Sequence, residues 1–210
     1  MTVDAAPGLR ERKRLATRRS IQLAVLDLAS ERGLDKVTVD EISRVADISP
    51  RTFFNYFATK EEALVGDGPT LPDVVHIERF VAAGPHESIA RGLGVMLSLS
   101  TSSAIDDHEI TYRRRAILRD HPQLFALRMA SMRSFEAGLA EVISRRLVAD
   151  RPEAASTPDR LASDAHLLAA VAFGALRHAW SCWADDESVS DLAERVATAF
   201  VDLENLLARG

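Results

Sequence analysis

Leu, Ala and Val recur at spacings of three and four along the chain, and this pattern predicts an all-α protein. Ile21, Ala24, Val25 and Leu28, at i, i+3, i+4 and i+7, mark the buried face of a first helix. Gly33 ends that helix as a left-handed cap, with Leu34 placed for the hydrophobic contact that accompanies such an end. Thr38 then precedes Val39, Ile42, Val45 and Ala46, and Glu41 three residues on completes a reciprocal capping box, so a short helix begins at Val39. Asp47-Ile48-Ser49-Pro50 interrupts it: Ser49 suits an N-cap, and Pro50 fits the first helical position, where no amide donor is missed. A second short helix runs from Pro50 to about Phe57. Thr59 with Glu62 repeats the capping box and starts a third at Lys60.

Gly66-Asp67-Gly68-Pro69 and Pro72 break this last helix early, and Val74 to Ala83 reads as its resumption before Gly84-Pro85. Glu87 to about Thr101 follows, with Ile89, Leu93, Met96 and Leu97 on one face and Gly92 and Gly94 allowing close helix packing. Thr101 to Ile105 reads as a polar loop. Helices at Asp107 to Asp120 and Pro122 to about Asp150, a polar linker at Arg151 to Pro158, and closing helices at about Asp159 to Ala184 and Ser188 to Ala208 complete the chain. The predicted division is a head over residues 1–65 and a larger helical body over 66–210.

Composition agrees with a folded protein: 47% hydrophobic and 27% charged residues in a 210-residue chain suffice for one or two cores. The longest apolar run, Leu167 to Leu176, is about half the length of a membrane span. Residues 1–9 lack the apolar stretch of a signal peptide, and the single Cys182 excludes an internal disulfide, so a reduced cytoplasmic setting with no membrane partner is the expectation. Net charge is -5, yet residues 1–60 carry 11 Lys and Arg against 8 Asp and Glu, leaving 15 against 23 in the remainder. A basic head on an acidic body is what results when only the head meets phosphate. Metal spacings such as H-E-x-x-H, a G-x-S-x-G elbow and a phosphate loop are all missing, and Cys182 lies in an apolar helix that does not favour a thiolate. The expectation is therefore no enzyme, no metal and no cofactor.

Two short helices joined by a tight turn and followed by another capped start form the helix-turn-helix pattern, whose second helix enters the DNA major groove. Residues four apart share a helical face, so Phe53 and Phe57 point inward while Arg51, Thr52, Asn55 and Tyr56 face out. Arg pairs bidentately with guanine, Asn with adenine, and a Thr methyl can meet a thymine methyl, which makes Arg51, Asn55 and then Thr52 the candidate base readers. Arg10, Arg12, Lys13, Arg14, Arg18 and Arg19 lead into the first helix; either they are a solvated charge run or, with Arg14, Arg18 and Arg19 foremost, a basic arm for phosphates.

Thr52-Phe53-Phe54-Asn55-Tyr56-Phe57 followed by Thr59-Lys60-Glu61-Glu62-Ala63-Leu64 resembles the TetR family of transcriptional regulators, over about Ile21 to Leu64. The chain departs from that family in three places: Phe54 replaces the usual Tyr, Asp47 a common turn Gly, and Ala29 a usual first-helix Phe. The first removes a hydroxyl that could reach phosphate, and the third leaves a gap for Phe53 or Phe54 to fill. The alternative for Phe54 and Tyr56 is that they simply pack between small helices. The resemblance implies a homodimeric regulator of double-stranded DNA, usually a repressor, released by a small-molecule effector. It places Thr38, Tyr56 and Lys60 mainly on phosphates, and a fourth helix normally continuing into the second domain.

The resemblance also implies a ligand cavity between body helices, with Leu93, Met96, Leu97, Leu118, Phe125, Met129, Met132, Phe135, Phe173 and Trp180 as candidate lining, although any one of these is as readily ordinary core. Tyr112 to Met129 is similar to the regulatory domain of actinobacterial members, some of which answer to long-chain acyl-CoA. Arg113, Arg114, Arg115, Arg119, His121 and Arg128 would then hold an acidic head group, or form a solvated face. Small and apolar residues of the closing helices, Val171, Ala175, Leu176, Ala179, Val196, Phe200 and Leu203, are the expected four-helix dimer interface. The competing reading is a helical ligand carrier or scaffold that binds no operator.

Overall fold

The computed structural model describes residues 8–66, 69–103, 108–185 and 191–208, and among these it contains helices and no strand. The helices are α1 (Leu9–Arg32), α2 (Val39–Val45), α3 (Pro50–Tyr56), α4 (Lys60–Val65), α5 (Val74–Ala82), α6 (Ile89–Ser103), α7 (His108–Asp120), α8 (Pro122–Asp150), α9 (Pro158–Asp185) and α10 (Leu192–Ala208). Short 3-10 turns at Leu34–Lys36 and Pro152–Ser156 fill two of the connections. No helix of the described residues is long and apolar enough to cross a membrane.

The chain divides into two units. One takes residues up to Asp67 together with Glu109–Arg128, and the other takes Gly68–His108 and Met129–Gly210. The first unit is built on the predicted face of α1: Ile21, Ala24, Val25 and Leu28 are buried in one cluster with Ile42, Phe53, Phe57 and Leu64. Phe53 shares that cluster with the small Ala29, whereas Phe54 is 58% exposed and fills nothing. Gly33 ends α1 at φ 80°, its N–H on the carbonyl of Ala29 and Leu34 buried behind it. α4 stops at Val65 with Gly66 at φ 69°, and α5 resumes at Val74.

Two arginines from the predicted head-group cluster are structural. Arg113 pairs with Asp27 of α1 and with Glu109. Arg114 is buried and donates from Nε to the carbonyl of Leu64 at 2.7 Å; a side chain at Gly66 would place its Cβ 2.6 Å from that guanidinium. A cation over the last carbonyls of α4 is favoured by the helix dipole. The side chains of Arg115, Arg119 and Arg128 lie outside the described residues.

In the second unit, α6 packs on α10 so closely that a Cβ at Gly94 would lie 2.7 Å from Phe200 Cβ, which explains the glycine. α6 begins two residues later than its pattern suggests and runs through part of the expected polar loop. The burial of α9 and α10 corrects the interface expected from sequence. Leu176, Ala179, Val196 and Phe200 are buried in the core of this unit and leave no surface for a partner. Val171 remains exposed, with Ala175 and Leu203 half-buried.

Of the expected ligand-lining residues, Leu93, Met96, Leu97 and Phe135 belong to the same core, with Phe173 and Trp180 packed at its edge and Met132 half-buried. Leu118, expected to line that cavity, instead packs against the core of the first unit. The side chains of Phe125 and Met129 lie outside the described residues.

A fully buried arginine holds α5, the turn after it and α8 together. Arg146 donates to the carbonyls of Phe80, Gly84 and Glu87, pairs with Asp150 at 2.8 Å and lies 5.2 Å from the Phe80 ring centroid. Removing one partner of a buried pair strands the other groups without solvent. Arg146→Ala should therefore lower the unfolding free energy by about 3–5 kcal/mol, read from urea denaturation of the full chain. A midpoint equal to wild type would contradict this assignment.

Candidate nucleic-acid interface

Local chemistry explains each element of the helix-turn-helix. The Thr38 hydroxyl accepts the Glu41 N–H at 3.3 Å, and Glu41 Oε2 accepts both the Thr38 N–H at 3.0 Å and its hydroxyl at 2.9 Å, forming the predicted reciprocal box. Arg32 pairs with the other oxygen of Glu41 at 3.0 Å. The turn places Asp47 at φ 54°, a left-handed conformation that Asp tolerates better than most residues, and the Ile48 N–H reaches the carbonyl of Ser43 at 2.9 Å. Ser20 of α1 donates to the carbonyl of Ala46, tying the turn to the first helix.

α3 starts on Ser49, whose Oγ accepts the Thr52 N–H at 3.0 Å, and the two hydroxyls are 2.8 Å apart. Phe53 and Phe57 are fully buried, one turn apart. Arg18 of α1 closes the far end: it donates to the carbonyl of Tyr56 at 3.2 Å and its guanidinium sits 4.1 Å from the Phe57 ring centroid. α4 is capped by Thr59, but the carboxylate of Glu62 accepts from the Ala58 N–H rather than from Thr59.

With both phenylalanines inward, Arg51 and Asn55 are exposed, and Thr52 and Tyr56 are half-buried. Arg10, Lys13 and Arg18 of α1 and Thr52, Asn55 and Tyr56 of α3 line an open groove of about 730 Å³. Arg14 also lines it, alongside Glu11, with which it forms an ion pair at 2.7 Å. The third residue of the expected arm, Arg19, is not among the groove residues and approaches Glu109 at 3.7 Å. Arg10 and Lys13 take its place: they lie two turns and one turn before Thr17, a spacing visible in the sequence.

Lys60, which the resemblance puts at phosphate, instead donates from Nζ to the carbonyls of Leu34 and Val37, both at 2.9 Å. It thereby caps the 3-10 turn that precedes α2. Thr38 is exposed, with its hydroxyl already engaged by Glu41.

Residues 24–65 match the family model described as bacterial regulatory proteins, tetR family. The chain is 31% identical over 193 residues to MftR of Mycobacterium tuberculosis (strain ATCC 25618 / H37Rv), a transcriptional regulator named for mycofactocin biosynthesis, covering 90% of each chain. It is 43% identical over 56 residues to the HTH-type transcriptional regulator TcmR of Streptomyces glaucescens, a match that spans 27% of this chain and 25% of TcmR. A solved TetR-family regulator from Mesorhizobium loti aligns over 90% of this chain and 96% of its own, at 18% identity and a TM-score of 0.45.

The Glu41 carboxyl is held below its ordinary range, first by the Thr38 N–H, then by the Thr38 hydroxyl, with Arg32 adding to both. A depressed carboxyl stabilises the fold above the unfolded value of about 4.3 and loses that contribution as pH falls through its folded value. The stability difference between wild type and Glu41→Gln should thus be largest near neutrality and shrink on acidification below about pH 4.3, followed by thermal melts across pH. A difference that stays constant over that range would contradict it.

Proposed function

The chain belongs to the TetR family of bacterial regulatory proteins, and we propose that it acts as a homodimeric repressor whose paired α3 helices read a near-palindromic operator. The observation that supports this reading is the setting of α3: Phe53 and Phe57 are buried, Arg51 and Asn55 are exposed, and a cation-lined groove flanks them. In that arrangement Arg51 and Asn55 meet base edges, and Thr52 and Tyr56 lie between bases and backbone. Arg10, Lys13 and Arg14 supply phosphate affinity, while Arg18 acts chiefly as a positioning group through the Tyr56 carbonyl and the Phe57 ring it holds. Thr38 approaches phosphate from the start of α2, and Lys60 acts as a positioning group through the two carbonyls it holds.

Two copies would associate through the outward faces of α9 and α10, where Leu167, Val171 and Val201 are exposed. A two-fold pair places its recognition helices on successive major-groove turns, about 34–36 Å apart. The effector is a small apolar or amphipathic molecule bound among the body helices. With Arg113 and Arg114 committed to ion pairing and helix capping, they contribute little to holding an acidic head group. An effector that prefers a conformation with wrongly spaced heads opposes DNA reciprocally, and a coupling of roughly 1–3 kcal/mol lowers DNA affinity about 5- to 150-fold.

The test is selection of bound fragments from genomic DNA, followed by titration of the selected duplex. Arg51→Ala and Asn55→Ala should each weaken binding roughly 5- to 150-fold and relax the preference at one position per half-site. Lys13→Ala should weaken all sequences alike and reduce the salt slope by about 1 for each phosphate it no longer neutralises. Affinity unchanged by Arg51→Ala and Asn55→Ala would leave a helical ligand carrier that does not read DNA through α3.

A further inference from the structure

The solvent side of α3 carries one large apolar group. Phe54 is 58% exposed, and its ring stands edge-on to the buried Phe53, with centroids 5.5 Å apart and planes at 88°. That contact fixes the ring on the helix surface without burying it. Beyond that edge contact the ring leaves most of its apolar area in water, where covering it on binding is favourable.

Its angular position on α3 narrows what it can meet. At about 100° per residue, Phe54 lies roughly 60° to one side of Arg51, while Asn55, Thr52 and Tyr56 lie on the other. The cation-lined groove is formed by Thr52, Asn55 and Tyr56, and Phe54 is not part of it. The helix thus presents a polar flank beside the arginines of α1, an Arg51–Asn55 centre, and an apolar flank at Phe54. A phenyl ring has no donor for a phosphate oxygen and none for a base nitrogen or carbonyl. The apolar group that a major groove offers it is the C5 methyl of thymine.

We propose that Phe54 is a specificity-determining residue whose ring packs on the methyl of one thymine in each half-site, next to the base met by Arg51. This rests on the reading that α3 enters the major groove. Sequence preference then arises at that position from dispersion and desolvation of a methyl group, with no hydrogen bond involved.

The experiment uses the full chain and the selected duplex, with each symmetric pair of thymines replaced in turn by deoxyuridine, which removes only the methyl. For wild type, one pair should weaken binding about fourfold per methyl, or about 15-fold for both half-sites, as expected for one methyl group returned to water at each. Phe54→Ala should bind the thymine duplex more weakly and show no thymine–uracil difference at that pair. Phe54→Tyr, which keeps the ring, should retain the difference. A uracil effect of equal size in wild type and Phe54→Ala, or no uracil effect at any pair, overturns the assignment alone. A wild-type chain that selects no DNA overturns both this assignment and the regulator reading beneath it.

Discussion

The burial of Phe53 and Phe57 against α1 is the constraint from which the character of the first unit follows. α3 has only seven residues, too few for an isolated helix to persist in water, so its existence and its rotation are both set by packing. Two rings at i and i+4 fix that rotation, and every other side chain of the helix then has a prescribed direction. Arg51 and Asn55 are outward because the phenylalanines are inward. The Ser49 cap and the Arg18 bridge hold the two ends, so the helix is anchored along its whole length.

How much of this is legible in the sequence depends on how local the cause is. Thr38 with Glu41, and Ser49 with Pro50, are signals that act within one turn, and the structure reproduces both helix starts. The i, i+4 spacing of Phe53 and Phe57 likewise determines which side of α3 faces the core. Long polar side chains are not legible, because their partners are distant in the chain. Lys60 reaches carbonyls 23 and 26 residues away, and Arg146 reaches carbonyls 59 to 66 residues away. A lysine beside a recognition helix reads as a phosphate ligand until its actual acceptors are seen.

The closing helices show a different limit. α10 carries apolar residues widely around its circumference, and periodicity alone cannot say which side a neighbour within the chain will take. α6 takes the side of Val196 and Phe200, with Gly94 admitting the close approach. The large apolar residues that α9 and α10 leave exposed are less conspicuous ones, Leu167, Val171, Val201, Leu206 and Leu207. Phe54 is the converse case: a hydrophobic residue between two core phenylalanines invites assignment to the core, yet a helical step of about 100° turns it to solvent.

The central claim is that α3 is a fixed reading surface whose outward side meets DNA while its inward side does not move. NMR chemical-shift mapping of the full chain, titrated with its selected duplex, tests this most directly. The expected result is shifts at the Arg51 Nε–H and the Asn55 side-chain amide, with the Phe53 and Phe57 ring signals unchanged. Shifts confined to residues outside α1–α4, or Phe53 and Phe57 responding while Arg51 and Asn55 stay still, would contradict it.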